Sequence, residues 1–542
     1  MPVIRQDKTP KHVVVFALLL LLSLLSGVIV FLATLNGPLG YSDSVAYIVS
    51  ARNLIKGFGL GMFTPSGRFV ITYLHPPLYP LVLSGIGMWG VDLVDTARWF
   101  NIVLSVLTVF TTGYIFIRHS RYPETAILAG VLTVFFPTIL LMFMSAMSEL
   151  LFLFLLSLSC LLLINYLQKQ TPTHFVVAAL VCGLLPITRY VGIAIIIPAV
   201  TCIFSFSAGF WQERSKRAIV FGSVASIPLI IWLAVLSVGS NRVLGGRSIQ
   251  FDGEYLMAGF QAYRETAVEI LWAWIPFSQR SVFQFLHPAR GIILLLVFLV
   301  IAAVTWIAGR RLTGKDRAIK SSPNVQLSLF FGVAVISYFV VFMATWLFTL
   351  PQTPINDRLL MPVYFTGVLG LLSCWGVLQK AFPPTNLSLR LTPWLLAILM
   401  IYWYYPQVVG VIEESHKNDT VMAYRWRDSD VLHALKELPA GQIIISNKSE
   451  TVVMWADRPA YDLMENLQPG FMKQNSSYGS DDTDAAQEAF RQGAVLVVSN
   501  DFKNQFESTY GHRGKERLAT IFDGLIIAGQ YSDGTIYMYP SK

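Results

Sequence analysis

Eleven separate runs of about 20 mostly apolar residues constrain the fold more than any other feature of the sequence. An apolar helix of about 20 residues crosses the hydrocarbon core of a bilayer. The sequence therefore predicts a polytopic α-helical membrane protein with about eleven transmembrane helices. The predicted spans lie near residues 13–35, 96–117, 124–143, 148–168, 174–189, 191–208, 218–239, 291–308, 325–349, 358–379 and 391–410.

Composition agrees with a membrane chain and excludes a single soluble globule. Of the 542 residues, 54% are hydrophobic and only 13% are charged. The net charge of +8 is uneven: residues 411–542 contain 13 Lys and Arg against 19 Asp and Glu, a balance of −6, which leaves 27 against 13, or +14, for residues 1–410. Because the basic excess falls in the membrane part, it predicts contact with lipid and no binding of nucleic acid.

The basic residues predict the orientation of the chain. With the eleven spans above, the basic loop residues from Arg5 and Lys8 to Lys380 and Arg390 all fall on one side. The positive-inside rule makes that side cytoplasmic. We therefore expect a multi-pass protein of the plasma (cytoplasmic) membrane, with its N-terminus in the cytoplasm and its C-terminal domain outside.

The predicted domains are a membrane domain, residues 1–410, and a small soluble extracytoplasmic α/β domain, residues 411–542. The membrane domain carries two long outer loops, 36–95 and 240–290, and Trp272 and Trp274 predict that the second loop lies at the lipid headgroups as a lid. In the C-terminal domain, short apolar runs bounded by turn residues predict strands at 442–447 and 494–499, helices at 428–438, 449–455 and 484–492, a hairpin at 524–540 and a mobile loop at 473–484.

The first outer loop begins with a predicted interfacial helix that carries Asp43. Apolar residues recur at roughly helical spacing after Tyr41, Ser42 or Asp43 can cap the start, and Gly57 can end the helix. Two interpretations of Asp43 stay open on local sequence alone. It is either a simple N-cap or a carboxylate held beside the bilayer for chemistry.

Ionisable residues at or inside a bilayer are costly and are therefore candidates for function. The outer ends of the predicted spans supply several of them: Asp43, Arg52, Arg98, Glu149, Arg189 and Arg358. Snorkelling at the interface is the alternative for each arginine. Arginine forks suit phosphate, and a carboxylate suits proton abstraction from an acceptor hydroxyl or amine.

Several short motifs together resemble a known family. They are the Asp43 helix through Gly57-Phe58-Gly59, His75-Pro76-Pro77-Leu78-Tyr79-Pro80, Arg98 at the start of the second span, Ser148-Glu149, Thr188-Arg189-Tyr190-Val191-Gly192 and Arg358-Leu359-Leu360-Met361-Pro362. In order and layout they resemble the integral-membrane glycosyltransferases of the GT-C fold, in the branch of protein O-mannosyltransferases and lipid A aminoarabinose transferases. The resemblance covers most of the chain.

This resemblance implies an inverting transfer of sugar from a polyprenyl-phosphate donor to a lipid, glycan or protein acceptor at the outer face of the membrane. It implies that Asp43 is the general base and that Arg189 and Arg358 stabilise the leaving lipid phosphate. Arg52 is a further candidate for that phosphate, and Glu149 is expected to orient the acceptor or an arginine. His75 either touches the donor phosphate or is a turn histidine that satisfies its own hydrogen bonds.

No cofactor is predicted, and a divalent metal is possible but not favoured. Many relatives carry an acidic residue directly after the first-loop aspartate, whereas Ser44 follows Asp43 here. A divalent metal prefers several hard oxygen ligands, so the substitution favours metal-independent transfer. Asp252 and Glu254 of the second outer loop are alternative ligands, although a solvated loop face is the favoured interpretation of both.

Two other classes of function compete with the transferase. A transporter or flippase of lipid-linked glycans would place charged residues and broken helices near the midplane, often in repeated halves. Here the charged residues cluster at one interface, and no repeat is evident. The third possibility is a non-catalytic membrane scaffold whose acidic outer domain binds a partner.

Overall fold

The structure is a computed structural model, and it describes residues 10–120, 122–239, 248–249, 253–275, 278, 281–293, 322–350, 355–379, 387–463 and 482–540. The elements up to residue 273 are α1 (Pro10–Ala33), α2 (Ser42–Ile55), β1 (Gly61–Phe63), β2 (Phe69–Ile71), α3 (Leu78–Gly87), α4 (Leu93–His119), α5 (Thr125–Phe135), α6 (Pro137–Phe143), α7 (Glu149–Lys169), α8 (Pro172–Thr188), α9 (Ile193–Phe206), α10 (Trp211–Gly239), β3 (Ser248–Ile249) and α11 (Gly253–Ala273). The remaining ones are α12 (Pro323–Phe348), β4 (Thr349–Leu350), α13 (Asp357–Leu378), α14 (Leu387–Lys417), α15 (Asp430–Glu437), β5 (Ile444–Ser446), α16 (Ser449–Thr451), β6 (Tyr461–Asp462), α17 (Asp482–Arg491), β7 (Val495–Ser499), α18 (Phe502–Phe522), β8 (Ile526–Gln530) and β9 (Gly534–Met538). Short 3₁₀ helices occur at Tyr190–Gly192, Ser281–Ala289 and Tyr424–Asp428, and a π-helix occurs at Val452–Ala456.

These elements form two compact units. The membrane unit consists of Met1–Leu35, Tyr73–Tyr79 and Ala97–His416. The sheet unit consists of Asn36–Thr72, Pro80–Thr96 and Lys417–Lys542. Most of the first outer loop therefore belongs to the same compact unit as the C-terminal domain, although more than 300 residues separate them in sequence.

The membrane unit is helical and has the spans that the sequence predicts. Among the described residues, seven helices are long and apolar enough to cross a bilayer, the bent α5–α6 pair is an eighth candidate, and α8 and Tyr190–Phe206 are shorter apolar helices. Each predicted span except 291–308 coincides with one of these elements, and most of 291–308 lies outside the described residues. The predicted fold class, a polytopic helical membrane protein with a small C-terminal α/β domain, is confirmed.

Two predictions about the membrane unit need correction. The span predicted at 124–143 is bent by 69° between α5 and α6, because Pro137 cannot continue the helix and forces Phe136 into an extended conformation. Much of the predicted second outer loop is the helix α11. Trp272 and Trp274 are 4% and 9% exposed, so their indoles pack against protein and not against lipid. That the segment lies at the lipid headgroups as a lid stays a prediction.

The sheet unit contains a mixed five-stranded sheet in the order β6-β5-β7-β9-β8. Strands β6, β5 and β7 are parallel, and β9 runs antiparallel to both β7 and β8. Alternate residues of β7 face opposite sides, as the period of a strand requires. Leu496 and Val498 pack against α17 and α18, while Val495 and Val497 pack against α15 and the π-helix.

Most of the C-terminal predictions are confirmed. Both predicted strands, the three predicted helices and the β8–β9 hairpin are present within a few residues of the predicted bounds. The sequence missed α18 and the short strand β6. The mobile loop predicted at 473–484 lies almost wholly outside the described residues.

A buried asparagine ties the first outer loop to the C-terminal segment within the sheet unit. Asn418 is 1% exposed, and its side-chain amide donates to the carbonyl oxygens of Asn36, Gly37 and Pro38 at 3.1, 2.8 and 3.2 Å. Gly37 has a φ of +101°, and a Cβ there would lie 2.6 Å from the carbonyl oxygen of Met422. Glycine therefore lets the two segments come this close.

We predict that Asn418→Ala lowers the free energy of unfolding by about 1–3 kcal/mol, because it leaves buried carbonyl groups without a donor. Unfolding of the detergent-purified protein, followed by circular dichroism, measures the loss. Lys417→Ala, at an exposed neighbouring position, is the control and should change stability little. Equal stability of the two variants would contradict the role of Asn418.

Candidate functional site

Three of the predicted site residues meet in the membrane unit. One guanidinium nitrogen of Arg189 forms an ion pair with the carboxylate oxygen Oε1 of Glu149. Nε of Arg358 lies 3.4 Å from the same oxygen. Glu149 has a side chain only 1% exposed, so a buried carboxylate is held between two cations.

Glu149 and Arg189 come from the ends of neighbouring helices. Glu149 is the first residue of α7, where a helix favours negative charge. Arg189 follows the last residue of α8 in an extended conformation, and its backbone N–H still donates to the carbonyl of Leu185 at 3.0 Å. Gly192 completes the turn, since a Cβ there would lie 2.4 Å from the same Leu185 carbonyl oxygen.

Arg358 is held in place by the start of α13. The side chain of Asn356 accepts a hydrogen bond from the backbone N–H of Leu359 at 3.0 Å and caps the helix. The hydroxyl of Tyr338, on α12, donates to the carbonyl oxygen of Leu359 at 2.8 Å. These two bonds fix the first turn of α13 on both sides of Arg358.

The segment that contains His75 lies beside the Arg189 turn. The hydroxyl of Tyr190 donates to the carbonyl oxygen of Tyr73 at 3.0 Å and accepts from the indole N–H of Trp232 at 3.0 Å. His75 is half-buried two residues beyond Tyr73. The Tyr190 contact is therefore the link between the predicted His75 and Arg189 motifs.

Arg98 has structural contacts inside the membrane unit. It is 8% exposed, its Nε donates to the Thr34 hydroxyl at 3.1 Å, and one terminal nitrogen donates to the Phe31 carbonyl oxygen at 3.0 Å. Its guanidinium carbon lies 4.8 Å from the ring centre of Phe31 and 5.4 Å from that of Trp99. Arg98 thus attaches α4 to α1.

Asp43 lies in the first turn of α2, in the sheet unit. The helix begins at Ser42, and the Ser44 hydroxyl accepts from the backbone N–H of Tyr41 at 3.0 Å, so neither Ser42 nor Asp43 occupies the predicted N-cap position. Asp43 is partly exposed. Gly57, with a φ of +84°, follows the helix end as predicted.

Arg52, on the same helix, binds the C-terminal segment of the sheet unit. One terminal nitrogen lies 3.1 Å from a carboxylate oxygen of Asp457, and the other donates to the carbonyl oxygen of Met454 at 2.7 Å. Lys56 pairs with the second carboxylate oxygen of Asp457. Sequence reasoning assigned Arg52 to donor phosphate and gave no signal for this ion cluster, because its partner lies more than 400 residues away.

Comparison with solved structures identifies the fold. The chain matches ArnT from Cupriavidus metallidurans in the apo state with a TM-score of 0.53 and 13% identity, over 98% of this chain and 99% of ArnT. ArnT bound to undecaprenyl phosphate matches with a TM-score of 0.52 and 13% identity, over the same shares of both chains. The Archaeoglobus fulgidus oligosaccharyltransferase in the apo form gives 0.51 and 13%, over 97% of this chain and 74% of that one.

All of these neighbours are GT-C glycosyltransferases. The chain has a GT-C fold. The mycobacterial arabinofuranosyltransferase AftD also matches, with a TM-score of 0.52 and 14% identity, although the match covers only 40% of AftD. No protein-family model and no curated protein matches the sequence. The family resemblance noted in the sequence is thus confirmed at the level of the fold.

Within this GT-C fold, Asp357 is a residue that sequence reasoning overlooked. It precedes Arg358, and its carboxylate accepts hydrogen bonds from the Thr138 hydroxyl on α6 and the indole N–H of Trp274. The ring of Phe136, at the α5–α6 bend, stacks on Tyr364 with ring centres 3.5 Å apart. The sequence did contain a signal for Asp357. Two adjacent charged residues, Asp357 and Arg358, stand at the start of a predicted span, where each needs a partner.

The described residues contain no group of three or more His, Cys, Asp or Glu side chains placed to hold a metal ion. Asp252 and the side chain of Glu254, the alternative ligands from the second outer loop, lie outside the described part of the chain. Metal independence therefore stays a prediction.

The Arg52–Asp457–Lys56 cluster predicts acid sensitivity of the sheet unit. Burial by itself raises the pKa of Asp457, but the hydrogen bonds and charges of Lys56 and Arg52 outweigh it and lower the pKa below its usual value. A lowered folded-state pKa means that the stabilisation is fully present above the unfolded-state pKa and is lost as pH falls through the folded-state pKa.

We therefore expect wild-type protein to be more stable than Asp457→Asn at neutral pH, with the difference shrinking as pH falls below the usual pKa of an aspartate and vanishing below the lowered folded-state pKa. Hydrogen exchange of the segment 452–456, compared at neutral and acidic pH, measures it. Asp523→Asn, an exposed carboxylate, is the control. A difference that does not change with pH would contradict the ion-pair account.

Proposed function

We propose that the protein is a membrane glycosyltransferase that moves a sugar from a polyprenyl-phosphate donor to an acceptor at the outer face of the plasma membrane. The donor's lipid tail lies in the bilayer, and its phosphate lies at the membrane surface. The acceptor is a lipid, a glycan or a protein. The N-terminus is cytoplasmic and the C-terminal domain extracytoplasmic, as the basic loops predict.

The observation that carries the proposal is the pairing of Arg189 and Arg358 with the single buried carboxylate of Glu149. Both guanidinium groups meet one carboxylate oxygen, so they lie close enough together to contact the oxygens of a single phosphate. Planar arginine forks bind phosphate oxygens in pairs. Placed at the ends of α8 and α13, the two arginines suit a lipid phosphate at the end of membrane spans.

The likeness to ArnT bound to undecaprenyl phosphate supports this class of donor. At 13% identity the likeness concerns the fold, so the residues of this chain must supply the rest of the argument. Those residues are a buried carboxylate, two arginines that reach it from separate helices, and a histidine segment fixed beside one of them by Tyr190.

In the proposed reaction, Asp43 takes the proton from the acceptor's hydroxyl or amine. The acceptor atom then forms a bond to the anomeric carbon, and the bond from that carbon to the phosphate oxygen breaks with inversion. The phosphate leaves with the bonding electron pair, and Arg189 and Arg358 stabilise its charge. Lipid phosphate is a good leaving group, so the reaction needs neither a strong general acid nor a metal.

Glu149 acts in this scheme as a positioning residue that sets the direction of both arginines. His75 is proposed as a further contact to the donor phosphate. For Arg52 the same role requires release from Asp457 and from the Met454 carbonyl, so we place the phosphate contacts on Arg189 and Arg358 first.

We predict that Arg189→Lys and Arg358→Lys each lower the transfer rate by about 10²–10³-fold, since lysine keeps the charge but not the planar guanidinium fork.

Asp43→Asn should lower the transfer rate by about 10²–10⁴-fold, because an amide cannot take the proton from the acceptor. Release of undecaprenyl phosphate from undecaprenyl-phosphate sugars, by the full chain in nanodiscs with an extract of membrane lipids, glycans and proteins as the source of acceptor, gives the rate. The matched controls are Arg491→Lys and Asp523→Asn, both exposed.

Full activity of Asp43→Asn would remove Asp43 as the base and leave the rest of the proposal standing. Full activity of the Arg189→Lys, Arg358→Lys double variant would contradict the assignment of these two arginines to the donor phosphate.

Mass spectrometry of the purified full-length protein tests the donor class directly. The proposal expects a co-purifying polyprenyl-phosphate glycan, with at least about tenfold less of it on the Arg189→Lys, Arg358→Lys double variant. Equal amounts on both proteins would mean that the lipid binds elsewhere.

A further inference from the structure

The strand order of the sheet unit marks a place where ligands bind in open α/β sheets. After β5, the chain adds β6 on one side of it and then β7 on the other. All three strands are parallel. Such a reversal is a topological switch point, and ligands bind outside the carboxyl ends of the strands beside it.

A cleft of about 240 Å³ lies at this edge of the sheet. Its lining comes from the residues after β5, from the end of β6 and from the segment before α15: Asp419, Thr420, Val421, Trp426, Asn447, Lys448, Ser449, Glu450, Thr451 and Asp462. Strand order and cavity are independent observations, and they agree. The volume is below the range of drug-sized sites and suits a group the size of one sugar ring.

The polar lining is held in place by hydrogen bonds across the strand ends. The Asn447 amide donates to the Ser499 hydroxyl at 3.0 Å and its oxygen accepts the Ser499 backbone N–H at 3.0 Å, which links β5 to β7 at the switch point. The Ser449 hydroxyl donates to Asp462 at 3.3 Å. The site is therefore built before any ligand arrives.

Trp426 forms an aromatic wall with a fixed orientation. Its indole N–H donates to the Thr420 carbonyl oxygen at 3.0 Å. The ammonium of Lys448 lies 4.5 Å from the ring centre, and the guanidinium carbon of Arg425 lies 4.8 Å from it. Because these cations and the core cluster already lie against the indole, the hydroxyl, amide and carboxylate groups around it are the part of the lining that suits the O–H groups of a sugar.

The charges argue against a phosphate ligand. Three carboxylates line the cleft, on Asp419, Glu450 and Asp462, against the single ammonium of Lys448. Arg425 pairs with Asp419 at 2.8 Å, and among the lining side chains themselves the carboxylates outnumber the ammonium by three to one. Burial and the nearby Arg425 lower the pKa of Lys448.

A nucleotide is also disfavoured. The turn after β5 reads Asn447-Lys448-Ser449-Glu450 and has no glycine, whereas phosphate-cradling turns need glycines for close backbone approach.

We propose that this cleft binds one uncharged or amine-bearing sugar unit of the acceptor, with Glu450 and Asp462 accepting hydrogen bonds from the sugar. The assignment of this sugar to the acceptor rests on the proposed glycosyltransferase function. Sugar binding itself does not depend on it. The cleft thus gives the C-terminal domain a role in choosing a glycan-bearing acceptor.

Saturation-transfer NMR on the full chain in nanodiscs tests the cleft. The probes are free hexoses, pentoses, 6-deoxyhexoses, hexosamines and N-acetylhexosamines, each beside its sugar 1-phosphate where one exists. We expect at least one uncharged or amino sugar to bind and its 1-phosphate to bind more weakly. Glu450→Gln and Asp462→Asn should each weaken binding about tenfold, because each loses a hydrogen bond to a charged group.

Glu437→Gln, an exposed carboxylate on α15, is the matched control and should bind like wild type. Because Glu450 is exposed, its variant keeps the fold, and thermal unfolding of every variant checks this. Absence of binding by every sugar, equal binding by Glu450→Gln, Asp462→Asn and wild type, or stronger binding of the 1-phosphate would each overturn the proposal.

The Arg189→Lys, Arg358→Lys double variant separates this proposal from the proposed function. It should bind free sugar normally while it loses the donor lipid. If wild type binds the sugar in the cleft yet neither binds nor consumes undecaprenyl-phosphate sugars, the proposed transferase function fails and the sugar site stands without its acceptor role.

Discussion

Two guanidinium groups that share one buried carboxylate oxygen are the interaction on which the membrane unit's candidate site depends. A charged group inside a membrane protein is tolerated when a partner and a helix end offset the cost of its burial. Glu149 has both, since it begins α7 and meets Arg189 and Arg358. The carboxylate contacts side chains at the end of α8 and at the start of α13, from residues that are 169 positions apart in the sequence.

Hydrogen bonds at helix ends surround Glu149, Arg189 and Arg358. Asn356 caps α13, Tyr338 holds the carbonyl of Leu359, and Tyr190 joins the His75 segment. Each bond fixes backbone near a charged side chain, so the arginines are directed before a ligand binds. Preorganised charge of this kind suits the leaving phosphate of the proposed reaction, because no reorganisation is then needed as the bond breaks.

Much of the fold was readable because apolar length and strand composition are local signals. The spans, β5, β7 and the β8–β9 hairpin follow from runs of residues that need no distant partner. The bend at Pro137 was also marked in the sequence, although the run 124–143 was taken as continuous. The proximity of Glu149, Arg189 and Arg358 could be guessed from their place at span ends. The Arg52–Asp457 pair and the burial of Trp274 against Asp357 could not, because each depends on a partner that is remote in sequence.

The bonds from Asn418 to residues 36–38 have a consequence for how the protein is made. Ribosomes add about 5–20 residues per second, and some 380 residues separate these partners, so the first outer loop waits roughly 20–75 s for the segment that completes its unit. During that time Asn36–Thr72 has already left the ribosome without its partner. The nascent chain would thus depend on a chaperone or on the membrane surface to shield α2 until the last span is inserted.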